Sequence, residues 1–201
     1  MEINMKNTLD SLMDNDHVRY AAKHATESHI GLHGIWQCDV FRKGDLISGG
    51  YPESPNTFTT EGIARLLNIM FHDIAKAGSE IWYVGIYKSN VTPAVGNTAA
   101  VHLGAAGTYG ACQATTDFDE AAYQAYTTAD TATASITNSV AGKAEYTIAD
   151  TITLYGAFLG TASDPTAVDG YLMAAKKFGS SRDVVDGDEV AITYTISVTT
   201  S

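Results

Sequence analysis

The stretch EVAITYTISVT, residues 189–199, has the alternation that decides the fold class. Its apolar side chains point to one side of an extended chain, and small or polar side chains point to the other. The apolar side consists of Val190, Ile192, Tyr194, Ile196 and Val198. A period of two residues over this length predicts a β-strand with one buried face.

The residues before this stretch continue the same pattern. Three further segments predict strands, and turn residues separate them. The predicted strands are AEYTIA (144–149), TITLYGAFLG (151–160) and GYLMAAKKF (170–178), with turns at Asp164-Pro165, Asp169-Gly170 and Asp186-Gly187-Asp188. Closely spaced strands of this kind predict a mainly β fold, a β-sandwich or a jelly-roll-like domain.

Two strand signals lie in the N-terminal half. Trp36, Cys38 and Val40 alternate with polar residues, and the turn at 43–45 predicts a hairpin with a second strand over 46–48. The segment IWYVGIYK (81–88) is apolar on both faces, which predicts a central strand. The Ala- and Thr-rich residues between Ser89 and Gly142 leave two interpretations open, a long solvated loop with some strand or a surface that packs against another chain.

One segment has the period of a helix. Residues 59–77 form the main predicted α-helix, with Thr59 as N-cap and Gly78 as a C-terminal stop. Its apolar residues recur at helical spacing and are expected to lie on a sheet. They are Ile63, Leu66, Leu67, Met70 and Ile74.

Residues 1–31 differ in character from the predicted β-rich domain over 32–201. Met5, Leu9, Leu12 and Met13 form a short amphipathic stripe, so this segment is either a frayed tail or an arm that orders on a partner. The acidic N-terminus lacks the apolar core of a secretory signal, and no apolar run reaches the length of a membrane helix. We therefore expect a soluble protein made in a cytoplasm.

Composition limits the possible partners. The chain has 201 residues and a formal net charge of −11, and its Lys and Arg residues never cluster beyond two neighbours. This charge repels phosphate backbones and disfavours direct nucleic-acid binding. Cys38 and Cys112 are too few to define a disulfide framework, and we expect both to be buried thiols.

The sequence predicts no metal, cofactor or catalytic site. His29 and His33 have the i, i+4 spacing of zinc ligands but flank Gly31, and the acidic group at 117–120 lacks the spacing of an EF-hand. We interpret that group as a solvated turn. The acidic residues around Gly187 are explained by a hairpin turn; they are Asp183, Asp186, Asp188 and Glu189. Neither a nucleophile elbow nor a phosphate-binding loop is present, so we do not expect an enzyme.

The order of several segments resembles a group of tailed-bacteriophage virion proteins. The resemblance covers about Ile35 to Val198. Its motifs are WQCDVFRKGDL (36–46), NTFTTEGIARLLNIMF (56–71), IWYVGIY (81–87), TLYGAFLG (153–160), YLMAAKKF (171–178) and DGDEVAITYT (186–195). Proteins of this group are encoded near the major capsid gene, and some are capsid decoration or cement proteins.

The resemblance implies a trimeric β-sandwich or jelly-roll protein on the outer surface of the capsid. It would be made in the host cytoplasm and would stabilise the shell by bridging capsid subunits, so its expected partners are the major capsid protein and further copies of itself. Candidate contacts with the capsid or a neighbouring subunit are Leu9, Leu12, Met13, Ile30 and Leu32.

Two alternatives of other classes remain open at this point. One is an adaptor or host-recognition module at a tail fibre or neck, which would use exposed aromatic residues such as Tyr109, Tyr123 and Tyr126. The other is an enzyme acting on surface glycans, which requires paired carboxylates across a groove. Asp117, Asp119 and Glu120 are the residues whose replacement would test that activity.

Overall fold

The computed structural model describes residues 30–50, 52, 55–72, 82–138 and 142–200. Contacts place residues 32–197 in one compact unit. The predicted mainly β fold is confirmed, because the described residues form two antiparallel sheets of five strands each.

The strands are numbered in chain order. They are β1 (Ile30–Arg42), β2 (Asp45–Ser48), β3 (Thr57–Phe58), β4 (Tyr83–Tyr87), β5 (Gln124–Ala125), β6 (Ser135–Thr137), β7 (Ala144–Thr147), β8 (Ile152–Gly160), β9 (Leu172–Val184) and β10 (Glu189–Thr200). The first sheet has the order β2-β1-β10-β6, and β7 also pairs with β10. The second sheet has the order β3-β9-β8-β4-β5. Two helices are described, α1 (Thr60–Phe71) and α2 (Ala99–His102).

The predicted hairpin between β1 and β2 is confirmed. Arg42 pairs with Asp45, and the two residues between them, Lys43 and Gly44, both have positive φ, at 53° and 86°. Two consecutive residues of positive φ form the type of tight turn that matches the twist of the flanking strands. This turn places β2 at one edge of the first sheet.

The C-terminal strands follow the period-two prediction. In β10, Val190, Ile192 and Tyr194 are buried, and Val198 near the end of the strand is exposed. The strand predicted over 170–178 is longer than expected, because β9 continues to Val184 and pairs there with Ile152 of β8. The added residues are mostly polar and exposed, which is why the sequence pattern missed them.

One hydrophobic core joins the two sheets, as in a β-sandwich. On the first sheet, the rings of Trp36 and Tyr194 stack with centroids 3.9 Å apart. On the second sheet, β4 lies between β8 and β5 and is buried from Val84 to Tyr87, which confirms it as a central strand. Gly85 is required there, because a Cβ at that position would overlap the ring of Phe158.

The segment between Ser89 and Gly142 contributes to this core. Tyr109, Cys112, Phe118 and Tyr123 are buried, although they lie between elements and not within strands. Both cysteine side chains are buried, as predicted. The solvated-loop interpretation therefore fails for the middle of this segment, where buried aromatic rings fill the space beside the second sheet.

Helix α1 starts where the sequence predicts and ends earlier. Thr59 is the N-cap, while His72 adopts an extended conformation after Phe71. The amide of His72 donates to the carbonyl of Asn68 at 3.2 Å and closes the last turn. The helix predicted over 59–77 thus ends at Phe71, and Ile74 and the predicted stop at Gly78 lie outside the described residues.

The predicted orientation of α1 is wrong. Gly62 is buried, and a Cβ there would overlap the backbone of Met173 on β9. The inner face of the helix continues through the partly buried Leu66, whereas Ile63 and Leu67 are exposed. The larger apolar stripe therefore faces solvent, because a close backbone contact at a glycine determines which side lies on the sheet.

This orientation predicts different costs for two adjacent leucines. Leu66→Ala removes packing against the core and should lower the free energy of unfolding by about 1–3 kcal/mol. Leu67→Ala, its matched control, removes an exposed side chain and should change that energy by less than about 0.5 kcal/mol. Urea unfolding measures both, and an equal or larger loss for Leu67→Ala would contradict the orientation.

Candidate association surface

The rotation of α1 is set by its N-cap. The Thr59 hydroxyl oxygen accepts a hydrogen bond from the Gly62 amide at 3.0 Å and donates to the carbonyl of Leu172. The Thr59 amide also donates to the carbonyl of Met173 at 3.0 Å. One buried residue thus caps the helix and binds it to the start of β9, which fixes the side that faces the sheet.

The two charged residues of α1 lie on its flank. The Glu61 carboxylate accepts hydrogen bonds from the amides of Ala99, at 2.9 Å, and Leu172, at 2.7 Å. The Arg65 guanidinium lies over the ring of Tyr171, 4.9 Å from its centroid. Both charged groups therefore have partners within the chain, and neither lies on the outer face.

The outer face of α1 carries four exposed apolar side chains, called here the α1 seam. Ile63, Leu67, Met70 and Phe71 are 39%, 50%, 62% and 78% exposed. Successive residues of a helix are about 100° apart, so these four side chains fall within an arc of roughly 100°. Ala64 borders that arc, and no charged residue lies within it.

The α1 seam is large enough to be a functional surface. Four side chains of this size and exposure present on the order of 400 Å² of apolar surface, comparable with the largest patch of a typical monomer, which is often functional. Within the described residues, α1 is also the only helix longer than four residues. The α1 seam is therefore the best candidate for an association surface.

Three buried aspartates hold the connections between strands. Each accepts a hydrogen bond from a lysine or arginine and from a backbone amide or amide side chain. The ion pairs are Asp39 with Lys143, Asp117 with Lys88 and Asp188 with Arg42. These carboxylates have structural partners, so they are not available as ligands or acid catalysts.

The prediction of a solvated turn at residues 117–120 is wrong for its first two residues. Asp117 is buried and accepts from the Lys88 ammonium, at 2.7 and 2.8 Å, and from the Gln113 amide, at 2.7 Å. Phe118 is part of the core. Burial, together with the nearby Asp117 charge, raises the pKa of the Cys112 thiol, which keeps it protonated and unreactive.

The Asp188 carboxylate accepts two hydrogen bonds from one arginine. Arg42 donates to it through Nε and Nη2, both at 2.7 Å, and the Val185 amide donates at 2.9 Å. The hydrogen bonds from Arg42 lower the pKa of Asp188, with burial opposing and the Val185 amide assisting. A turn is present around Gly187, whose φ is 80°, but the predicted hairpin is wrong, because the strands it joins, β9 and β10, belong to different sheets.

A cleft of about 240 Å³ lies beside β7 and the start of β10, and three of its lining residues are glutamates, Glu120, Glu145 and Glu189. Glu120 accepts hydrogen bonds from the Thr147 amide at 3.0 and 3.2 Å, whereas Glu145 and Glu189 are exposed. Cross-strand pairing of Glu189 with Thr147 brings these groups together. The sequence places Glu120 and Glu189 in two separate acidic groups, because pairing between strands that are distant in sequence is not visible in a motif.

The residues predicted as contacts fall in different places. Leu32 is half-buried, Ile30 is exposed and lies outside the unit of residues 32–197, and Leu9, Leu12 and Met13 lie outside the described residues. The aromatic residues considered for ligand binding are not exposed on loops. Tyr109 and Tyr123 are buried, and Tyr126 is half-buried with its hydroxyl donating to the carbonyls of Ile136 and Tyr194.

Comparison with protein-family models, with curated proteins and with solved structures found no significant match to this chain. Among the described residues, no helix has the length and apolar character to cross a membrane. The same residues contain no group of three or more His, Cys, Asp or Glu side chains arranged to hold a metal ion. The choice of the α1 seam as the candidate site is therefore based on the exposure and spacing of its side chains alone.

The pair between Arg42 and Asp188 predicts a pH dependence. Because the folded-state pKa of Asp188 is lowered, its stabilisation is present above the ordinary aspartate pKa of about 4 and is lost as the pH falls through the lowered value. Asp188→Asn should lower the urea midpoint at pH 7, and its difference from the unmodified protein should shrink at about pH 2–3. Asp186→Asn, in the same turn but exposed, is the control. An Asp188→Asn deficit that does not change with pH would contradict the assignment.

Proposed function

We propose that this protein is a non-enzymatic structural component of a tailed-phage virion. In this proposal it binds the outer surface of the capsid and stabilises it by bridging capsid subunits, with the major capsid protein and further copies of itself as partners. The observation that carries the proposal is the α1 seam, an uncharged apolar surface that the fold does not need for its own core.

The fold supports this proposal. The resemblance of the sequence to phage decoration proteins implies a β-sandwich, and the two antiparallel sheets share one core in that way. Jelly-roll connectivity and a trimeric state are further parts of the proposal. The helix that carries the seam lies within the motif NTFTTEGIARLLNIMF (56–71), one of those on which the resemblance is based.

The charge distribution supports association through this surface. The chain has a formal net charge of −11, yet α1 presents no charged group on its outer face. Contact through the seam therefore requires no charged group to lose its water, which is the main cost of burying polar surface.

The size of the seam limits the strength of one contact made through it. A contact that buries about 400 Å² on each side totals roughly 800 Å², below the 1,200 Å² typical of stable specific complexes. Such a contact is weak by itself. Several linked copies that engage a symmetric lattice would hold far more tightly than one, because each later contact forms at a high effective concentration.

The alternative of a tail-fibre or neck adaptor loses part of its support. It depended on exposed aromatic side chains, and Tyr109 and Tyr123 are buried in the core. Both hydroxyl groups donate within the chain, that of Tyr109 to Asn97 Oδ1 at 2.9 Å and that of Tyr123 to the Cys112 carbonyl at 3.1 Å. A position on the capsid remains the better proposal.

Cryo-electron microscopy of the intact virion tests the proposal. The expected result is density that fits the β-sandwich of residues 32–197 on the outer capsid surface, in contact with more than one capsid subunit. Density confined to the tail or neck would contradict the capsid role and favour the adaptor. Absence of the protein from purified particles, checked by mass spectrometry of the same preparation, would contradict a virion role altogether.

A further inference from the structure

We propose that the α1 seam binds the same seam on a second copy of this chain. This inference deepens the proposed function by naming the partner of the candidate surface, and it rests on that function only for its setting on a capsid. The contact itself would be a property of the purified protein. Each argument below uses described residues alone.

The spacing of the seam fits another helix. Ile63, Leu67 and Met70 follow one another at intervals of four and three residues. This is the interval at which side chains of paired helices interlock along a common line. Leu67 is the middle residue of these three. In a symmetric pair it would therefore contact Leu67 of the second copy, whether the two helices run parallel or antiparallel. A second copy supplies a helix with the matching pattern.

The charge pattern favours a second copy over a basic partner. A basic partner requires acidic groups at the contact, but the only acidic residue of α1, Glu61, lies on the flank and accepts hydrogen bonds from Ala99 and Leu172. Two acidic chains that met elsewhere would bring carboxylates together, since the net charge of each is −11. At the seam they meet through uncharged side chains, which avoids that repulsion.

The helix is already held in place for such a contact. Thr59 and Glu61 bind its first turn to β9, and Gly62 rests on the backbone of Met173. Pairing therefore does not require the helix to fold, which removes much of the ordering cost of association. The roughly 800 Å² available to two copies predicts a weak, concentration-dependent contact in solution.

Disulfide trapping tests the geometry directly. Leu67→Cys should form a disulfide-linked pair of chains under mild oxidation, because the two thiols would meet at the centre of the seam. Asn68→Cys is the matched control, one residue away on the flank, and should cross-link at least tenfold more slowly. The native Cys38 and Cys112 are buried and do not interfere. Equal rates for both variants, or no linked pair for Leu67→Cys, would overturn the inference.

Sedimentation equilibrium supplies a second measurement. The average mass of the unmodified protein should rise with concentration, whereas that of Leu67→Lys should not change with concentration. Asn68→Lys adds the same charge outside the seam and should associate like the unmodified protein. An average mass of the unmodified protein that does not change with concentration, or an equal rise for Leu67→Lys, would overturn the inference.

The two proposals can fail separately. Capsid density without cross-linking at residue 67 would remove the self-pairing of α1 and leave the virion role intact. Cross-linking at residue 67 in a protein that is absent from particles would support the self-pairing and remove the virion role. A urea midpoint of Leu67→Lys equal to that of Asn68→Lys confirms that the variant is folded.

Discussion

The hydrogen bonds of Thr59 are the constraint on which the candidate surface depends. This one buried side chain accepts from the Gly62 amide and donates to the Leu172 carbonyl, so the cap of α1 is also its attachment to β9. The attachment leaves no freedom of rotation, since Gly62 must face the sheet where only a glycine fits. This rotation determines which side chains of α1 lie on its outer face.

The consequence is a division of roles between the two faces of one short helix. Gly62 and Leu66 supply the contact with the domain, while Ile63, Leu67 and Met70 are left on the outside. Backbone atoms make much of the contact between α1 and the sheet. The larger apolar side chains of the helix therefore remain exposed and can contact a partner. Elsewhere, buried aspartates paired with Arg42, Lys88 and Lys143 hold the connections between strands. A sandwich that exposes an apolar seam is suited to repeated weak contacts on a lattice.

The sequence predicted the strands better than it predicted the surface. Alternation in β10 and the two-sided apolar pattern of β4 identified strands, because burial on a sheet depends on side chains that periodicity detects. The same reasoning misplaced α1, since it assumed that the widest apolar stripe faces the core. Gly62 in the first turn was the available signal for a close backbone contact. The burial and the ion pairs of Asp117 and Asp188 were missed, because their partners Lys88 and Arg42 are 29 and 146 positions away.

Oxidation of Met70 is the most direct measure of whether the α1 seam is an association surface. Met70 is 62% exposed and Met173 only 5%, so peroxide should oxidise Met70 rapidly in dilute protein and Met173 slowly. Mass spectrometry of the two peptides, in dilute protein and in assembled particles, compares the rates. The account predicts that Met70 becomes protected in particles while Met173 is unchanged. Equal oxidation of Met70 in both states would contradict it.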